Sequence, residues 1–536
     1  METETTGPWP ASNCRLRTDV GPRRWTGMLL SVRREDCTPI RRQLREQIRD
    51  LVRQGTLPLG TKLPSSRALA RSLGVSRNTV VEVYEALMAD GILEPSSTAG
   101  TFVAWRPEGA PSARAGPPSP WQGTGPSVAW ERLFSEGSRR LSEWPGAHGF
   151  LPSRFRAWWD EASAEQFRAC LTRALRQQGP AVFGYGEPEG YRPLREWLAV
   201  HMTERGVRVG ADGVLIVNGS QQGLDLVARV FVEPDDLVLV QEPVKPEVVS
   251  CLRQVGARLR GVPVASGGLD LGVLERIVDR EAPKLVYVMP TAHDPTGVTM
   301  DLPTRGRLLE CARRGGFLVL EDATNDELCY SGHLVPPLKA QDAPGRVIYV
   351  GSMSKSLFPG IRIGWIITEP PALAALSAAK RASDLGSPQL LQVALSEFCR
   401  LGCFRRHLAR ARRAYRAAQE ALERALALHF PPGAWKLSDS RPAVWATLPE
   451  GVDSRWLQLE AAARGVQIEP GDLFFSGGGG ESSFSLAWPD ANPLQIERDV
   501  AIVGRLIRTV LPDGRSREEG RSWRTKRSQR VCSRVC

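Results

Sequence analysis

The stretch VGSMSKSLFPGIRIGW, which begins at Val350 with Gly351 next, sets one lysine, Lys355, among Ser352, Ser354 and Arg362. A lysine amine can condense with an aldehyde. Serine hydroxyls and a guanidinium can hold a phosphate dianion, the arginine through two parallel bonds. A second stretch, VNGSQQGLDLVARV, reads as strand, glycine turn and helix. It puts Ser220 and Gln221 at a helix N-terminus, where free N–H groups and the helix dipole attract anions. A third, FLVLEDATNDE, ends a strand on Glu321 and Asp322, and a buried aspartate there can keep a ring nitrogen protonated.

These are the groups that pyridoxal 5'-phosphate requires: a lysine for its aldehyde, an acid for its pyridine nitrogen and donors for its phosphate. The elements that must position them follow from the apolar patterning. Strand-like runs (VLIVNG, LVLVQEP, LVYVMP, FLVLED, VIYVGS) alternate with amphipathic segments such as 302–314 and 371–384. This alternation predicts an α/β domain with a mostly parallel sheet over residues 149–510. Lys355 then falls in the loop after a strand, where open sheets of this kind present ligand-binding residues.

A separate unit is expected over residues 37–104. PIRRQLREQIRDLVRQG places Ile40, Leu44, Ile48 and Leu51 or Val52 on one helix face. PSSRALARSLG is a short second helix, capped by Ser65 and closed by Gly74, and VSRNTVVEVYEALMADG is a third, capped by Ser76. Two short helices across a tight glycine turn form a helix-turn-helix, and GILEPSSTAGTFVAW after them reads as a two-stranded wing. The third helix would offer Ser76, Arg77, Asn78 and Thr79 to phosphates and base edges of double-stranded DNA.

The remaining sequence frames these two units. The chain has 536 residues, too many for one ordinary core, and a formal charge of +11 that favours a polyanionic partner. Residues 1–36 carry no periodicity and are expected to be a disordered extension, in which Met28 is an alternative start. Residues 105–148 are rich in Pro and Gly and read as a linker; 511–536 read as a basic disordered tail. No apolar run reaches the length of a membrane span and no signal-peptide core precedes the first unit, so a cytoplasmic protein is expected. The ten cysteines form no CxxC pair and the chain has six histidines, so free thiols are expected rather than a zinc site.

Residue-level similarity sharpens both readings. Residues 39–104 resemble the winged helix-turn-helix domain of GntR-type bacterial regulators, through LPSSRALA, GVSRNTV and GTFV. The resemblance implies that Arg67 and Arg77 are the chief DNA contacts, with Ser65, Ser76 and Thr79 on the DNA backbone. The family wing carries an arginine and a glycine-rich tip, and Ser96 and Thr98 stand at those positions here. Residues 180–490 resemble fold-type I aminotransferases, in the branch fused to GntR domains and called MocR regulators. The carriers are YGEPEGYRPLREWL, NGSQQGLDL, PTAHDPTGV, LED and SMSKSLFPGIRIG, in the family's order. This implies a small C-terminal α+β subdomain, Lys355 as the Schiff-base lysine and Asp322 as the pyridine-nitrogen partner. Ser220, Gln221, Ser352 and Arg362 would hold the phosphate, with Ser354 beside them. Tyr185 would reach the phosphate of a neighbouring subunit in a homodimer.

Four positions depart from the aminotransferase pattern. Thr324 replaces the tyrosine that bonds the cofactor's phenolic oxygen, and Asp294 replaces the asparagine of the N-P-T-G motif. Asp294 therefore has to be protonated, turned away or paired, with His293 as a candidate partner. Lys245 stands where the family has an aromatic ring after E-P, and Ser485 where it has the arginine that clamps a substrate carboxylate. Cofactor-anchoring residues are kept while those serving turnover are altered, so efficient transamination is not expected. The expectation is a one-chain transcription factor that binds pyridoxal phosphate through Lys355 and senses a small amine, an amino acid or the vitamer itself. An active aminotransferase carrying a DNA-binding domain is the alternative.

Overall fold

The computed structural model describes residues 24–25, 28–30, 32, 38–53, 57, 61–96, 100–104 and 157–510, excepting 331–334, 432, 439, 441, 451 and 489–491. The chain divides into two compact units, Met1–Gly125 and Pro126–Cys536. The linker and basic tail expected from composition lie outside the described residues, as do Thr98 and most of 1–36.

In the first unit, α1 (Ile40–Arg53), α2 (Ser66–Leu73) and α3 (Arg77–Ala89) pack around Leu44, Ile48, Leu69, Val80, Val83 and Leu87. Leu30, within the stretch read as an extension, is buried in the same core. Gly74 adopts the left-handed conformation (φ 64°) that ends α2, and this turn sets the angle to α3. Arg45 and Arg49 of α1 both hold the carboxylate of Asp90 beyond the end of α3. The wing is an antiparallel hairpin, β1 (Leu93–Ser96) with β2 (Gly100–Val103), in the register Leu93 to Val103.

The second unit is built on a seven-stranded sheet. Its strands are β3 (Val214–Val217), β4 (Leu237–Glu242), β5 (Arg258–Pro263), β6 (Leu285–Val288), β7 (Leu318–Asp322), β8 (Val347–Ser352) and β9 (Gly364–Ile367). In space they run β3-β9-β8-β7-β6-β4-β5, and β9 alone runs antiparallel to the other six. Strands β3, β6, β8 and β9 are buried along their whole length, because helices cover both faces, so each appears in sequence as an unbroken apolar run. β5 is an edge strand, and its exposed Arg258 and Arg260 guard that edge. A long helix, α4 (Cys403–His429), leads to a second sheet containing β10 (Trp435–Leu437), β11 (Ala443–Thr447), β12 (Glu469–Pro470) and β13 (Ser483–Ala487). It is wholly antiparallel, in the order β10-β11-β13-β12. Its apolar face and α4 share one core with the main sheet, through Phe404, Leu422, Val444 and Phe484.

Candidate functional site

Three strands of the main sheet, β7 and β8 side by side and β3 beyond β9, end where the expected ligands gather. β7 delivers Asp322, β8 delivers Ser352 and the turn carrying Ser354 and Lys355, and β3 leads into the Asn218-Gly219-Ser220 turn. The turn before β9 folds Arg362 back across this edge, with its own backbone left-handed at φ 52°. Its guanidinium donates to Ser354 Oγ at 3.2 Å and to the Asn218 carbonyl at 3.1 Å, yet the residue stays exposed. Gly219 (φ 83°) is required there twice over: a Cβ would also stand 2.4 Å from Arg362 Nη2. Ser220 then opens a twelve-residue helix, so Arg362, Ser354 and free N–H groups face one spot. Ser352 Oγ accepts from the Ser354 amide at 3.1 Å, which shapes the lysine turn.

Gln221, expected as a phosphate donor, directs its amide at Cys251 Sγ, 2.9 Å away, and burial pushes that thiol up to about 12. Gln222 takes the bracing role. It accepts from the Asn218 amide and donates to Asp384, which also accepts from Asn218 Nδ2 and the buried Lys380.

The ring end is built differently. Asp322 is fully buried and accepts from Lys245 Nζ (2.5 Å) and Tyr287 Oη (2.8 Å) on one oxygen, and from the Thr324 amide (3.1 Å) on the other. Burial alone would raise its pKa, but the Lys245 ammonium and these donors hold it below the usual carboxylate range. Burial acts to lower the Lys245 pKa, and the opposing charges of Asp322 and Asp294 more than offset it, leaving it raised. Asp294 lies on a buried turn and its bond to Pro295 is cis, as is the Glu242–Pro243 bond ahead of Lys245. His293, the candidate partner of Asp294, feels that carboxylate, which acts to raise its pKa against burial. His293 Nδ1 bonds Thr296 Oγ1 at 2.8 Å, and burial pushes the imidazole down to about 4, so it is neutral near pH 7 and supplies no positive charge.

A second tier fixes these loops. The buried Arg305 donates to the carbonyls of Met300, Pro290 and Pro336 and to Thr291 Oγ1, clamping the turn that carries Asp294. Asn325 Nδ2 donates to the Ala292 carbonyl on the same turn. Arg205 pairs with Asp326 at 2.8 Å, and Glu327 accepts from Arg205 and bonds His201, anchoring the segment after Asp322. Ser485 sits buried in the middle of β13, paired across to Trp445 and Glu469. Tyr185 is 88% exposed and Phe183 nearby 74%.

In the first unit Ser65 and Ser76 cap α2 and α3, accepting from the amides of Ala68 (3.3 Å) and Thr79 (3.0 Å). Ser76 and Thr79 share a further hydroxyl bond of 2.8 Å, while Arg67, Arg77 and Asn78 are exposed. Tyr84 Oη donates to the Pro64 carbonyl and ties α3 to the chain entering α2.

A seven-stranded sheet of this order with an antiparallel subdomain, in a chain that also carries a winged helix-turn-helix, defines a fusion of a DNA-reading module with a fold-type I aminotransferase domain. Residues 159–437 match the aminotransferase class I and II family, and residues 40–103 match the bacterial regulatory proteins of the gntR family. The probable rhizopine catabolism regulatory protein MocR of Rhizobium meliloti is 33% identical over 82% of this chain and 88% of its own. The HTH-type transcriptional regulator TauR of Rhodobacter capsulatus is 32% identical over 88% of this chain and 96% of its own. Among solved structures, the α-aminoadipate aminotransferase LysN of Thermus thermophilus, complexed with N-(5'-phosphopyridoxyl)-L-leucine, superposes with a TM-score of 0.65. It is 32% identical and the match covers 73% of this chain and 98% of that one. The chain belongs to the MocR-type branch of the GntR family of transcriptional regulators.

Proposed function

We propose that this regulator binds pyridoxal 5'-phosphate through Lys355 and uses the site to sense a small amine, an amino acid or the vitamer, with DNA binding as the output. The observation that carries the reading is the convergence of Arg362, Ser354 and the Gly219–Ser220 turn beside Lys355, on a chain whose other unit is a winged helix-turn-helix. These residues fit the group: an open guanidinium with a helix N-terminus for the phosphate, Lys355 for the aldehyde, and a buried ionised Asp322 on the wall where the ring nitrogen would lie. The phosphopyridoxyl ligand of the LysN structure supports the same assignment. When bound, the cofactor supplies an aldehyde carbon that exchanges one amine for another. Lys355 would hold that carbon and give way to an effector amine, while Arg362, Ser352, Ser354 and Ser220 would hold the phosphate.

On the DNA side, Arg67, Arg77 and Asn78 would contact the duplex from the exposed N-terminal turns of α2 and α3, with Ser65, Ser76 and Thr79 at the backbone. Exposed Phe183 and Tyr185 fit association with a second copy, whose phosphate site Tyr185 would reach. Two copies would present two reading helices to two half-sites. No helix of the described residues is long and apolar enough to cross a membrane, in keeping with action on DNA in the bacterial cytoplasm.

Absorbance of the purified protein during titration with pyridoxal phosphate, and then with amino acids and amines, tests the reading. The expected result is a visible band from covalent attachment that is missing in Lys355→Ala and changes only by amine exchange. Full conversion to the pyridoxamine form with an amino acid would instead make the chain a working transaminase.

A further inference from the structure

Among the described contacts, Lys245 is the cation paired with the buried Asp322. It stands at the N-cap of the helix Pro246–Gln254, where the positive end of the helix dipole disfavours a cation. Its ammonium nevertheless lies 2.5 Å from Asp322, with its side chain 15% exposed and that of Asp322 fully buried. The same Asp322 oxygen also accepts from Tyr287, and the other is engaged by the Thr324 amide. A pyridinium nitrogen approaching that oxygen would meet the Lys245 ammonium already there. Asp294 completes the exchange of charge. Lys245 and Asp294 replace a neutral ring and a neutral amide of the aminotransferase pattern, so with Asp322 the three positions still carry a single net negative charge.

We propose that Lys245 is a resident counter-ion of the ring pocket, competing with the pyridine nitrogen of pyridoxal phosphate for Asp322, so that this chain holds the cofactor by its phosphate end and Lys355 alone. The proposal rests on the cofactor reading above. Its consequence is chemical as well as energetic. A ring nitrogen denied a carboxylate keeps no proton and draws electrons weakly, so amine exchange at the aldehyde survives while bond breaking at a bound amino acid is suppressed. The cofactor also becomes dissociable, which suits a ligand whose concentration is itself the signal.

Equilibrium titration of the apoprotein, followed by absorbance and by thermal unfolding, separates the alternatives. Lys245→Met and Lys245→Tyr should bind pyridoxal phosphate at least about tenfold more tightly than the native chain, the scale of one charge-assisted hydrogen bond recovered. Their stabilisation by the cofactor should grow in step, and Lys245→Arg, which keeps a cation on Asp322, should bind as the native chain does. An analogue with carbon in place of the ring nitrogen should gain nothing from either neutral variant. The native chain alone provides a further check: it should bind the analogue and the natural cofactor within about threefold of each other. Unchanged or weaker binding of pyridoxal phosphate by both neutral variants would overturn the proposal while the cofactor reading stands. So would a strong preference of the native chain for the nitrogen-containing form. If neither native nor variant chains gave a Lys355-dependent band, the cofactor reading itself would fall, and this proposal with it.

Discussion

The phosphate end and the ring end of the candidate site lie at adjacent strand termini yet are built on opposite plans. At the phosphate end the guanidinium points outward: Arg362 is exposed, its nitrogens rest on a serine and two carbonyls, and no carboxylate in the described contacts neutralises it. At the ring end the charges are turned on one another, Lys245 against Asp322 with Asp294 nearby. A group that keeps its charge free is prepared for a ligand, whereas one whose charge is already paired has to be released first. The difference fits the proposal that a fold which supports transamination in relatives here serves attachment and release of a small molecule.

The comparison yields graded expectations. The largest effect belongs to Lys355→Ala, which should abolish the covalent absorbance band altogether. Arg362→Ala should weaken pyridoxal phosphate binding by about a hundredfold, since two charge-assisted bonds to a dianion are lost; isothermal calorimetry reads it directly. Gly219→Ala should weaken binding by about tenfold, because the new methyl group displaces the guanidinium and strains a positive-φ turn. Asp322→Asn, in contrast, should change cofactor affinity by less than about threefold, because Lys245 already withholds that carboxylate from the ring. A hundredfold loss there would erase the distinction between the two ends.

The pH dependence of the fold is set by buried groups, one of which, His293, stands at the ring end. Burial pushes His293 and His407 down to about 4, so the unfolded chain binds their protons first. Stability from these two is complete above about 6.5 and is lost as the pH falls toward 4. Burial pushes Glu321 up to about 7, with the opposite sign: its contribution is present below about 4.5 and lost as the pH rises through 7. Two imidazoles outweigh one carboxyl, so acidification from pH 6.5 to 4.5 should lower stability by roughly 1–3 kcal/mol in thermal melts. His293→Asn should flatten the slope.

Much of this is legible in the sequence because it is encoded by neighbours. The three helices of the first unit follow from period and caps, and Ser65, Gly74 and Ser76 do terminate them. The buried strands announce themselves as apolar runs, and the order of motifs identifies the aminotransferase fold. Partners distant in sequence are not legible. Lys245 meets Asp322 across 77 residues, Arg205 meets Asp326 across 121, and Arg305 reaches carbonyls from 290 to 336. No periodicity marks such pairs, because the sheet order that brings them together is a property of the whole chain. The one available signal is compensation: a cation and an anion both replacing neutral residues of one pocket, at Lys245 and Asp294. The direction of the Gln221 side chain, by contrast, carries no sequence signal, because Cys251, its partner in the structure, comes from the next helix.

The central claim, that amine chemistry at Lys355 is read out on DNA, is tested most directly by footprinting the native chain and Lys355→Ala on DNA selected by the protein itself. Each would be assayed with and without pyridoxal phosphate and a panel of amines and amino acids. The account predicts that ligands change the footprint or affinity of the native chain and leave those of Lys355→Ala unchanged. An identical ligand response in both proteins, or none in either, would contradict it.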